Sequence, residues 1–108
     1  MNSKTNGGPV IEWASFRLKA GVEEEAMLAA SETLQEQFLE PLPGYLGRET
    51  IRMDGGYADL VRWASRAEAD AAMSKAAEST ACAAYFALMD FDGEADAPRH
   101  YPVIRSYR

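Results

Sequence analysis

Residues Pro43 to Trp63 read PGYLGRETIRMDGGYADLVRW, and this stretch decides the fold. Tyr45–Met53 and Tyr57–Ala64 are rich in β-branched and aromatic residues, and Asp54-Gly55-Gly56 joins them. A glycine-rich link of that length tolerates the positive φ of a tight turn, so the pair is expected to form an antiparallel hairpin. Three arginines, Arg48, Arg52 and Arg62, interrupt its apolar residues, and it ends on Trp63. Successive side chains of a strand point to opposite faces. Arg62 and Leu60 therefore belong to one face of the third strand, and Trp63, Val61, Asp59 and Tyr57 to the other.

Outward from the hairpin, the pattern alternates between strand and helix. Upstream, VIEWASFRL (Val10–Leu18) is a strand with apolar residues in both alternating sets, as expected of a strand covered on both faces. Glu23, Glu24 and Glu25 then favour a helix N-terminus, and Met27, Ala30, Leu34 and Phe38 make one stripe at helical spacing. Pro41 and Pro43 stop that helix, which is expected over about Val22–Leu39. Downstream, Ser65 and Glu68 have the spacing of a capping box and open a helix whose inner face is mostly alanine: Ala69, Ala72 and Ala76, with Met73. After Ser79-Thr80, the residues Cys82, Tyr85, Phe86 and Met89 form a bulkier helical stripe. Asp90–Arg99 reads as an acidic, solvated loop, and HYPVIRSYR as the last strand, with Pro102 at its start or at an edge.

The order β-α-β-β-α-β is the ferredoxin-like plan, an α+β fold with a four-stranded antiparallel sheet and two helices on one face. Residues 1–9 read as a disordered N-terminal tail and 10–108 as a single domain. The second face of the sheet, lined by Trp13 or Phe16, by Val61 and Trp63, and by Tyr101 or Val103, would be a large apolar patch on a lone subunit. A homodimer that hides this face is the expected remedy.

The 108 residues carry 11 basic and 17 acidic side chains, a net charge of −6. That balance repels nucleic acid and anionic membrane surfaces. No apolar run approaches the roughly 20 residues of a membrane span, and the polar start MNSKTNGGP lacks a signal's apolar block. With one cysteine there is no internal disulfide, and a cytoplasmic location is expected. The acidic DFDGEAD segment lacks the ligand spacing of a calcium loop, and no zinc, phosphate-loop or serine-hydrolase motif is present; no metal site is expected.

FRLKAG before a helix, then PGYLGRE, then DLVRWAS opening an alanine-rich helix, resemble the dimeric α/β-barrel superfamily. The chain is most similar to its antibiotic biosynthesis monooxygenase-like domains, over about Val10–Tyr107. The resemblance implies two sheets packed into a barrel, with a cleft in each subunit. It also implies that Trp63, at the W-x-S position, lines that cleft. Some relatives oxygenate aromatic polyketide phenols with neither metal nor flavin, so no cofactor is expected. Haem-degrading relatives use an asparagine on the first strand and a histidine from the second helical region; this chain has neither an asparagine in Val10–Leu18 nor a histidine in 65–99.

The expected function is therefore a cofactor-independent monooxygenase of a small aromatic or polyketide-like substrate. The alternatives are a non-enzymatic barrel that binds a small hydrophobic ligand, or a lactone isomerase on the same fold. Trp63 and Phe16 are the candidate walls. Arg48, Arg52 and Tyr85 are candidates to hold an anion, because a guanidinium stays charged and offers a planar fork. Asp59, the nearest ionisable group to Trp63 along its strand face, and His100, the single histidine, are the candidate bases. Each also has a plainer reading: the arginines pair with Glu12, Glu49 or Asp59, His100 sits at the surface or an interface, and Cys82 is a small core hydrophobe.

Overall fold

The computed structural model describes residues 8–107. Its strands are β1 (Val10–Leu18), β2 (Tyr45–Met53), β3 (Gly56–Trp63), β4 (Met89–Asp90) and β5 (Arg99–Pro102). Its α-helices are α1 (Glu24–Leu34), α2 (Arg66–Ala76) and α3 (Thr80–Phe86). The first seven residues of the expected tail lie outside the described residues, but Pro9 is already tied down, its carbonyl accepting from the Val103 N–H at 2.9 Å.

The sheet is antiparallel in the order β2-β3-β1-β4, with β5 also pairing β1. The expected last strand is present in shortened form as β5, and β4 is an additional strand at residues expected on a helical stripe and in the acidic loop. Met89–Asp90 holds the C-terminal end of β1, Arg99–Pro102 holds its N-terminal end, and a 3-10 turn at Gly93–Asp96 lies between. Met89, expected on a helical stripe, is a buried strand residue beside Leu18. Residues 103–107 are not strand, because they run past the start of β1 and find no ladder there.

The local signals explain the element ends. Gly55, with φ of 79°, makes the hairpin turn. Ser65 caps α2, its hydroxyl accepting from the Glu68 N–H at 3.2 Å, and Ser79 caps α3 by accepting from the Cys82 N–H at 3.1 Å. The first helix ends in a π-helical turn, Gln35–Leu39. That widened turn seats Leu39 in the core and leaves Gln35 able to donate to the Tyr45 hydroxyl at 2.8 Å.

One irregularity sets which side chains face the helices. Tyr45 pairs with Trp63 and Gly47 with Arg62, so Leu46 is an extra residue bulged out of β2. Without it, strand alternation would put Arg48 and Tyr45 on opposite faces. With it, Tyr45, Arg48, Thr50 and Arg52 share the helix-covered face with Trp63, Val61, Asp59 and Tyr57 of β3 and with Val10, Glu12, Ala14 and Phe16 of β1. The core is built there from Val10, Phe16, Met27, Leu34, Leu39, Val61, Trp63, Ala69, Ala72, Cys82, Tyr85 and Met89.

This corrects the expected composition of the uncovered face. Phe16, Val61 and Trp63 are 3%, 4% and 2% exposed and lie under the helices. The uncovered face instead holds Ile11, Trp13, Ile51, Ala58, Leu60 and Tyr101, with Glu49 and Arg62 among them. Trp13 takes the place expected of Trp13 or Phe16, and Tyr101 that expected of Tyr101 or Val103.

Candidate active site

Between the helix-covered face and the helices lies a cavity of about 480 Å³. That size falls in the range of small-molecule sites. Its lining is mostly apolar. Phe16, Val61 and Trp63 rise from the sheet, Leu34, Phe38 and Leu39 come from the end of the first helix, and Ala72, Met73 and Ala76 from α2. Small alanines on α2 are what leave the space, since larger residues at those positions would fill it. Around its rim Met73, Phe86 and Phe91 are 44%, 44% and 47% exposed, with the Phe86 and Phe91 rings edge to face at 6.2 Å.

Two polar groups meet this apolar space from the floor. The first is built around Asp59, which is 7% exposed. Its Oδ1 accepts from the Thr50 hydroxyl at 2.6 Å and its Oδ2 from the Tyr85 hydroxyl at 2.8 Å. Arg48 Nη1 stands 3.5 Å from Oδ2, and Arg48 Nη2 donates to the Ser31 carbonyl at 3.0 Å and to the Ser31 hydroxyl. Both carboxylate oxygens are therefore engaged, and the network ties α1 and α3 to the β2–β3 hairpin. Burial, then the charge of Asp59, hold the Tyr85 hydroxyl neutral well above the ordinary phenol range. The Arg48 guanidinium also lies 5.8 Å from the Tyr85 ring centre.

The second group is centred on Glu12. Its Oε1 accepts from the Trp63 indole N–H at 3.0 Å, and His100 Nε2 lies 3.3 Å from the same oxygen. The Glu12 and His100 side chains are 15% and 6% exposed. Among the described residues, His100 Nε2 has no aligned hydrogen-bond partner.

Chains of known structure share this architecture. SnoaB, a cofactor-independent oxygenase from Streptomyces nogalater, superposes with a TM-score of 0.72 over 92% of this chain and 96% of its own, at 13% identity. A candidate antibiotic biosynthesis monooxygenase of Bordetella bronchiseptica gives 0.71 over 91% and 99%, at 17% identity. The fold is that of the antibiotic biosynthesis monooxygenases. MhuD, a protein seen with manganese protoporphyrin IX in its active site, shares it as well, with a TM-score of 0.63 over 92% and 98% at 17% identity. No family sequence model matches the chain, and no curated protein matches it by sequence.

Of the residues singled out in the sequence, Trp63, Phe16, Arg48, Asp59 and Tyr85 are brought together around the cavity. Arg52 is not. It points toward the solvent edge of α1, where its Nε donates to Glu24 at 2.9 Å, and the Tyr57 hydroxyl donates to the same carboxylate at 3.0 Å. The Arg52 and Tyr57 contacts hold the Glu24 carboxyl below its ordinary range. Arg62 faces away and pairs with Glu49 at 2.7 Å. His100 is buried against Glu12 instead of lying at the surface. Cys82 is a core residue whose thiol is pushed up by burial, so it is a poor nucleophile.

Glu12 is the residue the sequence reading missed. Asp59 was the nearest carboxylate to Trp63 along one strand, but the group that touches the indole comes from the neighbouring strand, where Glu12 sits opposite Val61. A charged residue in the inward-facing set of a mostly apolar strand was the available signal. Among the described residues there is no cluster of three metal-ligating side chains, and no helix is long and apolar enough to cross a membrane.

Proposed function

We propose that this chain is a cofactor-independent monooxygenase of a small aromatic or polyketide-like substrate. The observation supporting this reading is the cavity: an apolar chamber of about 480 Å³, walled by flat rings and lined by a few ionisable groups, Glu12, Arg48 and Asp59 from the sheet, Tyr85 from α3 and Asp96 from the 3-10 turn. An apolar chamber suits both a planar substrate and dioxygen. A floor bearing a proton acceptor, a cation and a neutral hydroxyl suits the formation of a resonance-stabilised anion. SnoaB, named as a cofactor-independent oxygenase, has the same fold at low identity.

In the reaction proposed, an activated methylene loses a proton and the electron pair stays on the ring system. The carbanion reacts with dioxygen and a proton to give a hydroperoxide, and loss of water leaves a carbonyl. Trp63 and Phe16 present ring surfaces to the substrate, and Tyr85 and Arg48 provide a donor and a positive charge. Asp59 serves as a fixed counter-charge rather than as the base, because both of its oxygens are already engaged.

We also propose that two copies pack their uncovered faces together, which would remove Trp13, Leu60, Ile11 and Tyr101 from water. Oxygen-electrode measurements on the purified protein with hydroxyanthrones test the catalytic reading. Uptake above the buffer rate is expected, with the carbonyl product formed one for one. Ligand-dependent thermal stabilisation without uptake would establish the binding-protein alternative instead.

A further inference from the structure

Arg48, Val61 and Glu12 lie in one row across the sheet, because Val61 is the register partner of both Arg48 and Glu12. His100 continues the row as the partner of Glu12 on β5. With Arg48 and Glu12 two strands apart, about 10 Å separates their backbone positions. The cavity floor is thus a cation at one end, an apolar residue in the middle and a carboxylate at the other.

The two carboxylates of this face differ in what remains open to a ligand. Both Asp59 oxygens accept a hydrogen bond, from Thr50 and Tyr85, and Arg48 Nη1 stands 3.5 Å away without a hydrogen bond of its own. Glu12 has one oxygen committed to Trp63 and close to His100, and among the described residues nothing donates to its Oε2. The indole bond fixes the carboxylate at the cavity wall. The His100 side chain is more than nine-tenths buried and places an unaligned ring nitrogen 3.3 Å from Oε1, the oxygen that the indole already holds, so Oε2 is the oxygen left for a proton.

We infer that Glu12 is the proton acceptor of the cavity, and that the substrate lies across Val61 with its phenol or enol oxygen toward Arg48. This rests on the proposed oxygenase reading and adds to it the base and the substrate's orientation. In the step inferred, the substrate C–H bond breaks, its electron pair stays on the ring system as an enolate or carbanion, and the proton bonds to Glu12 Oε2. The enolate oxygen is oriented toward the Arg48 end. The proton returns from Glu12 when the carbanion takes up dioxygen and a proton to give the hydroperoxide, which restores the carboxylate.

The charged groups near Glu12 are His100 on β5, Asp59 one pairing along on β3, and Arg48 across Val61 on β2. The overlying α2 buries only Ala69 and Ala72.

The test is anaerobic exchange of the methylene protons of 1,8-dihydroxyanthrone in D2O, followed by NMR, so that proton abstraction is read without oxygenation. The intact protein should accelerate exchange, and E12Q should lose about 100-fold or more of that acceleration. H100Q, which removes the ring beside Oε1 and leaves Oε2 in place, should retain part of it. R62A, on the opposite face, should exchange like the parent. E12D, with a carboxylate withdrawn by one methylene, should recover part of the E12Q loss, and near-UV circular dichroism checks that each variant is folded. Exchange by folded E12Q at the parent rate, or no acceleration by the parent protein, overturns the inference. Acceleration that depends on Glu12 without oxygen uptake in air would uphold this base and overturn the oxygenase reading instead.

Discussion

The hairpin between Tyr45 and Trp63 carries two arginine–carboxylate pairs built on the same diagonal, one on each face. Arg62 and Glu49 meet at 2.7 Å with side chains 46% and 60% exposed. Arg48 and Asp59 stand farther apart, at 3.5 Å, yet their side chains are only 7% and 10% exposed. The shorter contact is the weaker one energetically, since water screens it and two long side chains lose freedom to form it. The longer one sits among apolar walls, where neither charge can be left alone. Distance ranks these pairs in one order and burial in the other.

The largest effect expected on that comparison is from Arg48→Met. It leaves the Asp59 charge buried with only two hydroxyl donors, and should cost about 3–5 kcal/mol in urea unfolding at neutral pH. Tyr85→Phe sharpens the same side of the comparison. It removes one charge-assisted hydrogen bond and should cost about 1–3 kcal/mol.

That second cost has a defined pH dependence. The Tyr85 hydroxyl is raised above its ordinary value of 10.0 in the folded protein, so its contribution is fully present below that pH. It is lost as the pH rises toward the folded value, and the gap between parent and variant should therefore narrow in alkaline unfolding experiments above pH 10. Arg62→Ala tests the exposed side. Measured at a concentration where the chain is a single subunit, it should change stability by less than about 1 kcal/mol, and added salt should shrink the difference further. An Arg62→Ala cost equal to that of Arg48→Met would break the comparison.

The residues that proved hardest to place from sequence are those whose role depends on a neighbouring strand. Trp63 and Asp59 share a face by simple alternation, and the sequence shows it. The bond from Trp63 to Glu12, and the burial of His100 beside them, require β1 to pair with both β3 and β5. Arg52 illustrates the reverse. It shares the inward face with Arg48, but at the turn end of the hairpin it reaches Glu24 on α1 and lies outside the cavity.

By itself the sequence determined the element order, the Asp-Gly-Gly turn, the capped start of α2 and the separation of Arg62 from Trp63, because turn chemistry, capping and strand alternation act over a few residues. Tertiary structure alone decided which face the helices cover, since both alternating sets of β1 are partly apolar and either could have been buried. It also decided, through the bulge at Leu46, that Arg48 points inward, and it added the short strand β4 beside β1. Those outcomes depend on the register between strands distant in sequence, where a one-residue slip reverses every side chain and no local signal records the choice.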